Sequence, residues 1–119
     1  MYVISFPADQ HYNTPQTAGV PQYENSKQIF TGKRRLVNLY VLNNSAATVY
    51  LAVCDTATTQ AAAGAITVYP IAANSFVSVA QPSGDRFEAG LFLKAFTDAA
   101  LGTAAGSVLL IKVDYTAYL

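Results

Sequence analysis

Few residues in this chain of 119 have side chains suited to chemistry, and they stand far apart. Its one imidazole, His11, lies between Gln10 and Tyr12, with Asp9 nearby. A Ser–His–Asp hydrolase needs such a base held rigidly between a nucleophile and a carboxylate. The surrounding segment is irregular and carries no G-x-S-x-G elbow, so His11 reads as a solvated or interface residue. The one cysteine, Cys54, ends an apolar run beside Asp55. A reactive thiolate needs a cationic neighbour or a helix N-terminus. A carboxylate works against that, and Cys54 reads as a small core residue.

Two charged clusters remain. In "SGDRFEAG" the residues Asp85, Arg86 and Glu88 crowd one turn. Glycoside hydrolysis needs two carboxyl groups across a cleft, and calcium needs several oxygens in one loop. The turn carries neither pattern, although a surface cation there stays open as an alternative. In "GKRRL" the cations Lys33, Arg34 and Arg35 precede a strong apolar run. They could meet phosphate, but no second basic cluster accompanies them and the formal net charge is zero. Ion pairing of Lys33, Arg34 and Arg35 with Asp85 and Glu88 of a neighbouring subunit is the expected use. No catalytic residue, cofactor, metal, membrane or nucleic acid is expected.

The elements that would carry these residues are strands. In "RLVNLYVLNN", Val37, Leu39 and Val41 share one face, and Leu36, Asn38, Tyr40 and Leu42 the other. In "TVYLAVCD", Val49, Leu51 and Val53 alternate with Tyr50, Ala52 and Cys54. The turn-forming "NNSAA" between them predicts an antiparallel hairpin. "AITVYPIA" and "NSFVSVAQ" predict a second hairpin, with Pro70 restricting the first strand to an edge or a bulge. "GLFLKAFT" and "SVLLIKVDY" predict a third, with Leu109, Ile111, Val113 and Tyr115 inward and Lys112 and Asp114 outward. No window carries a helical stripe. Residues 1–26 hold prolines and no alternation, and predict an extended arm outside the sheets. The expected architecture is therefore an all-β antiparallel sandwich of jelly-roll kind, or else a barrel, over residues 27–119, preceded by that arm.

Composition narrows the function classes. Charged residues are 12% of the chain and hydrophobic ones 52%; charge is about half the share usual in soluble domains. Such a chain hides apolar surface against other subunits or tolerates an alanine-rich exterior. One cysteine excludes an internal disulfide framework. The opening "MYVISFPADQ" lacks a basic region and a long apolar run, and predicts no secretory signal.

One motif carries a resemblance. Gly84-Asp85-Arg86-Phe87-Glu88-Ala89-Gly90 reads G-x-x-F-x-x-G, followed by a strand, a small-residue loop and a final strand ending in Tyr115. Over residues 35–116 this order resembles small bacteriophage virion proteins of β-sandwich type. The resemblance implies a non-enzymatic structural protein of the virion, assembled in the host cytoplasm. A capsid decoration (cement) protein, trimeric and bound to the major capsid protein or other virion subunits, is the leading expectation. A connector, tail or fibre-base component is the alternative within the virion, and a carbohydrate-binding module the alternative outside it. Gly84, Phe87 and Gly90 are expected to form a structural corner. Tyr2, Phe6, Tyr12 and Tyr23 of the arm, with Tyr40, Tyr50, Phe92 and Phe96 of one sheet face, are the expected subunit contacts.

Overall fold

The computed structural model describes residues 8–58 and 65–117, and none of these is helical. Ten strands follow in chain order: β1 (Gln10–Asn13), β2 (Gln16–Thr17), β3 (Val20–Pro21), β4 (Ser26–Thr31) and β5 (Arg34–Asn43). After them come β6 (Val49–Asp55), β7 (Ala65–Ile71), β8 (Phe76–Phe87), β9 (Gly90–Phe96) and β10 (Leu109–Thr116). They form two four-stranded antiparallel sheets and a small hairpin of β2 with β3. Sheet I has the order β1-β10-β5-β8, and sheet II the order β4-β9-β6-β7.

This order overturns all three expected hairpins. β5 lies in sheet I and β6 in sheet II; β7 lies in sheet II and β8 in sheet I; β9 lies in sheet II and β10 in sheet I. Each expected turn is a crossing between sheets. The reason is that β5, β6, β9 and β10 each take two strand neighbours, most of which come from distant parts of the chain. Apart from the small hairpin, only β6 and β7 are consecutive strands that pair with each other. Pro70 does sit on an edge strand, where its missing N–H interrupts no central ladder.

The described part of the expected arm is corrected as well. Residues Gln10–Asn13 pair with β10 as the edge of sheet I, with Gln10 opposite Tyr115 and Asn13 opposite Lys112. This short run contains no proline. Pro15 and Pro21 fall beyond it, the latter in the small hairpin, so the sheet accepts β1. Tyr12 packs against the core. Its hydroxyl donates to both carboxylate oxygens of Glu24, at 2.8 and 2.9 Å. Burial first, then that hydrogen bond and the Glu24 charge, pushes its pKa above the ordinary tyrosine range.

Side chains of both sheets meet in one buried cluster. Sheet I contributes Leu39, Val41, Ile111 and Val113, and sheet II contributes Leu51, Val53, Leu91 and Leu93. Alternation accounts for most of this set, but Val37 breaks it. The ladders of β5 with both neighbours shift register around Val37, which therefore opposes no residue. Such a bulge resets which face the following residues take, so Leu36 rather than Val37 joins Leu39 and Val41 in the cluster.

At one end of the sheets the buried Asn43 ties three segments together. Its side-chain amide donates to the carbonyls of Ala47, Ile71 and Ala72 at 2.8–3.1 Å, and its oxygen accepts from the Ser45 hydroxyl at 2.7 Å. A fully buried amide is stable only when so satisfied. The "NNSAA" segment is thus a clamp between crossings instead of a hairpin turn.

Candidate functional site

The corner between β8 and β9 is built around a carboxylate that sequence reading passed over. Asp55, at the end of β6, accepts three backbone N–H groups: Glu88 at 3.1 Å, Ala89 at 2.8 Å and Gly90 at 3.2 Å. Burial alone would raise its pKa; the donors from Ala89, Glu88 and Gly90 outweigh this and hold it below the ordinary carboxylate value. The signal was absent from the local sequence, since its partners lie 33–35 positions further on.

Gly90 is the residue that lets this corner close. Its φ is +153°, and a Cβ there would sit 2.6 Å from the Phe30 carbonyl oxygen and 2.7 Å from that of Thr56. Both obstacles are backbone, so no side chain can be accommodated without moving a strand. Gln28 braces the same place, its Nε2 reaching the carbonyls of Phe30, Thr56 and Leu91 at 2.8–3.0 Å. Gly84, with φ +75°, lies against the Arg35 side chain, whose Nη1 donates to the Gly84 carbonyl at 3.3 Å. Phe87 between the two glycines is 2% exposed and meets Phe30 edge to face at 5.8 Å. Burying a ring of this size contributes about 3 kcal/mol.

The charges of the corner engage one another within the chain. Arg86 Nε lies 3.0 Å from one Glu88 carboxylate oxygen, and Lys33 Nζ lies 3.8 Å from the other. All three side chains are half-exposed, so the pairs contribute little stability. Arg34 opposes Phe87 and Asp85 opposes Leu36 in the β5–β8 ladder, and Asp85 is exposed. These are the residues expected in ion pairs between subunits; Lys33 and Glu88 instead face each other in one subunit.

His11 stands elsewhere. Its Nδ1 lies 2.7 Å from Asp114 Oδ1, and Asn38 Nδ2 donates to Asp114 Oδ2 at 3.2 Å. This network lies on sheet I, and its own strand β1 is three positions from β8. At ~4.8 Å per strand spacing, His11 is on the order of 14 Å from the strand carrying Asp85. The two groups do not converge. Among the described residues there is no pocket, and no three His, Cys, Asp or Glu side chains are grouped to hold a metal ion.

The expected aromatic face divides between two sheets. Tyr50, Phe92 and Phe96 stand on sheet II, on the side away from the main core, whereas Tyr40 stands on sheet I. Phe92 and Phe96 are 2% and 3% exposed because residues 97–105 fold back over them. That loop pairs Ala104 with Phe96 and places Leu101 into a second cluster with Ala52, Cys54, Phe92 and Phe96. Asp98 holds the loop by accepting the N–H groups of Gly102 and Thr103 at 2.9 and 3.0 Å. Phe92 and Phe96 are thereby corrected from subunit contacts to a core that the chain covers itself. Cys54 is buried beneath the same loop, and burial raises its thiol pKa.

Among the described residues, no loop covers sheet I in this way. Tyr40 stacks on Phe76 at 5.2 Å between ring centroids, and Phe76 is 56% exposed. One rung of the ladder, Leu110–Leu42–Phe76, continues the apolar surface, and both leucines are only half-buried. Phe76 was not singled out in the sequence, although its place two residues after the "AAN" turn marks it as a strand entrance. Tyr23 is half-buried, and Tyr2 and Phe6 lie outside the described residues. No protein-family model matches this chain, and no match was found among curated proteins or solved structures.

Proposed function

We propose that this chain is a non-enzymatic structural protein of a phage virion, a capsid decoration protein that adheres to the head shell. The observation that carries the reading is the open apolar patch on sheet I: Phe76 stacked on Tyr40 beside Leu42 and Leu110. An aromatic anchor with an apolar surround and a polar margin is the anatomy of a protein contact. The margin here is Lys112 and the His11–Asp114–Asn38 network. Repeated over many copies on one shell, a modest affinity per copy becomes a large avidity.

The strand order supports a jelly-roll sandwich as the scaffold. Leaving out the small hairpin, the eight remaining strands wind as two four-stranded sheets with nearly every connection crossing between them. Jelly rolls recur in viral capsid proteins and in lectins, so the architecture is an analogy, and the exposed apolar face is what supports the adhesive reading. The test is co-sedimentation of the purified chain with emptied phage heads, counting copies bound. Hundreds of copies per head, lost on Phe76→Asp, are expected. A dozen or fewer would move the chain to the connector or tail, and no binding would remove it from the shell. The exposed Tyr40–Phe76 pair also favours a second reading, sugar binding on the same face. A glycan titration that saturates with the isolated chain and is abolished by Phe76→Asp would establish that reading.

A further inference from the structure

β8 ends sheet I and, among the described residues, pairs with β5 alone. Which of its backbone groups face outward follows from the ladder. Asn43 N–H donates to the Ser75 carbonyl at 2.8 Å, and Leu42 stands opposite Phe76. Along an antiparallel pair, residues alternate between exchanging hydrogen bonds with the partner strand and turning them away. Val77 and Val79 therefore bond to β5, and the N–H and C=O groups of Phe76, Ser78 and Ala80 point out of the sheet. All three residues are exposed. The other side of sheet I is finished differently. Past β1, Thr14 N–H donates to the Ile111 carbonyl, and Glu24 and Leu109 exchange both bonds. Natural edges are guarded by charge, proline or shortness. β1 has four residues, β4 carries Lys27 and β7 carries Pro70. The run FVSVAQ, residues 76–81, holds neither a charge nor a proline.

We propose that this edge takes residues 2–6 of a second copy as an added strand. The inference rests on the reading of the chain as an assembling structural protein, and it concerns the backbone edge of β8, whereas the shell patch uses the ring of Phe76. Tyr2-Val3-Ile4-Ser5-Phe6 is uncharged, made mostly of strand-forming residues, and about as long as the open part of β8. Pro7 biases Phe6 toward an extended conformation and ends the run. Reach decides whose segment it is. β1 begins at Gln10, opposite Tyr115, and a strand beside β8 stands four strand spacings away, ~19 Å. At ~3.3 Å per residue that crossing uses about six residues, from Asp9 back to Ile4. Within one chain only Met1, Tyr2 and Val3 are left to pair. A neighbouring copy brings the whole run to the edge. Val77 and Val79, packed on the core but half-buried, then gain an apolar neighbour on the inward side of the added strand. The contact joins two different surfaces, so it builds a ring or an open chain of copies.

The test is sedimentation velocity of the full chain over a wide concentration range, with head binding measured on the same samples. Wild type is expected to associate. Ile4→Pro removes a donor from the arm and Ser78→Pro removes one from the free edge, and each is expected to weaken association about tenfold or more. Mixed together, the two variants are expected to form pairs and nothing larger, since one supplies the intact edge and the other the intact arm. Should Ser78→Pro fail to fold, a synthetic peptide of residues 1–7 added in excess to wild type carries the same test by dissociating it. A monomeric wild type overturns the proposal, as does undiminished association of either variant, a mixture that does not pair, or an oligomer indifferent to the peptide. A monomeric wild type that still coats heads sinks the arm contact and leaves the decoration reading standing. An oligomer dissolved by both variants that binds no head does the reverse.

Discussion

Sheets I and II treat their surfaces away from the main core in opposite ways. On sheet II, Phe92, Phe96 and Cys54 lie under residues 97–105, which bring Leu101 down as a plug. On sheet I, no described loop lies over Tyr40 and Phe76; Tyr40 is half-buried and Phe76 more than half exposed. Both surfaces carry aromatic residues at alternate strand positions, so composition alone does not distinguish them. The difference is the loop. A run of small residues anchored by Asp98 lies over sheet II, whereas no described connection lies over Tyr40 and Phe76 on sheet I. An aromatic residue is therefore evidence of a contact surface only after the chain's own loops have been placed.

Substitution of matched phenylalanines gives the largest contrast. Phe92→Ala empties a closed site and is expected to cost about 3–5 kcal/mol, seen as a lowered urea midpoint. Phe76→Ala should stay within about 0.5 kcal/mol of wild type while abolishing head binding. Equal losses of stability in both variants would erase the distinction between the two faces.

Asp55 tests whether the closed sheet depends on its corner as well as on its cover. Asp55→Ala leaves three N–H groups without their acceptor, and a loss of about 2 kcal/mol is expected. The carboxylate has a lowered pKa in the fold, so its contribution is fully present above the ordinary value near 3.8. It is lost as pH falls through the lower folded value. Acid titration of stability should therefore show a shallower decline in Asp55→Asn than in wild type, and identical slopes would reject the assignment.

Asp98→Ala should have a smaller effect, about 1 kcal/mol, because it removes only the loop's internal acceptor. Its sensitive readout is Cys54, which is buried beneath that loop. Thiol labelling is expected to accelerate in Asp98→Ala and to remain slow in Phe76→Ala. Equal labelling rates would mean that the loop does not govern access.

Strand positions and the inward set Leu109, Ile111 and Val113 were legible because alternation reports which side of a strand is apolar. Pairing was not legible for the same reason: alternation is silent about the neighbour. "NNSAA" has the composition of a hairpin turn, yet it carries the chain from one sheet to the other. Val37 defeated the face assignment because a bulge shifts parity without a mark in composition. At the corner, Gly84, Phe87 and Gly90 stood out as residue types, whereas Asp55 was visible only as an unremarkable neighbour of Cys54. What the sequence does hold for sheet II is Leu101, a lone large apolar residue among alanines and glycines, and a reason to expect a loop that packs.

The pairing of β1 with β10 has a consequence for how the protein is made. His11 and Asp114 touch although 103 positions separate them, and most other strand pairs also join distant segments. Folds dominated by such contacts form slowly, because the chain must close large loops before it gains their reward. During synthesis β1 has no partner until β10 leaves the ribosome, so sheet I cannot be completed early. Its apolar patch, which includes Phe76 of β8, is then available to sister chains before the edge strand has docked. A chaperone, or fast folding after release, would decide between ordered subunits and tangled ones.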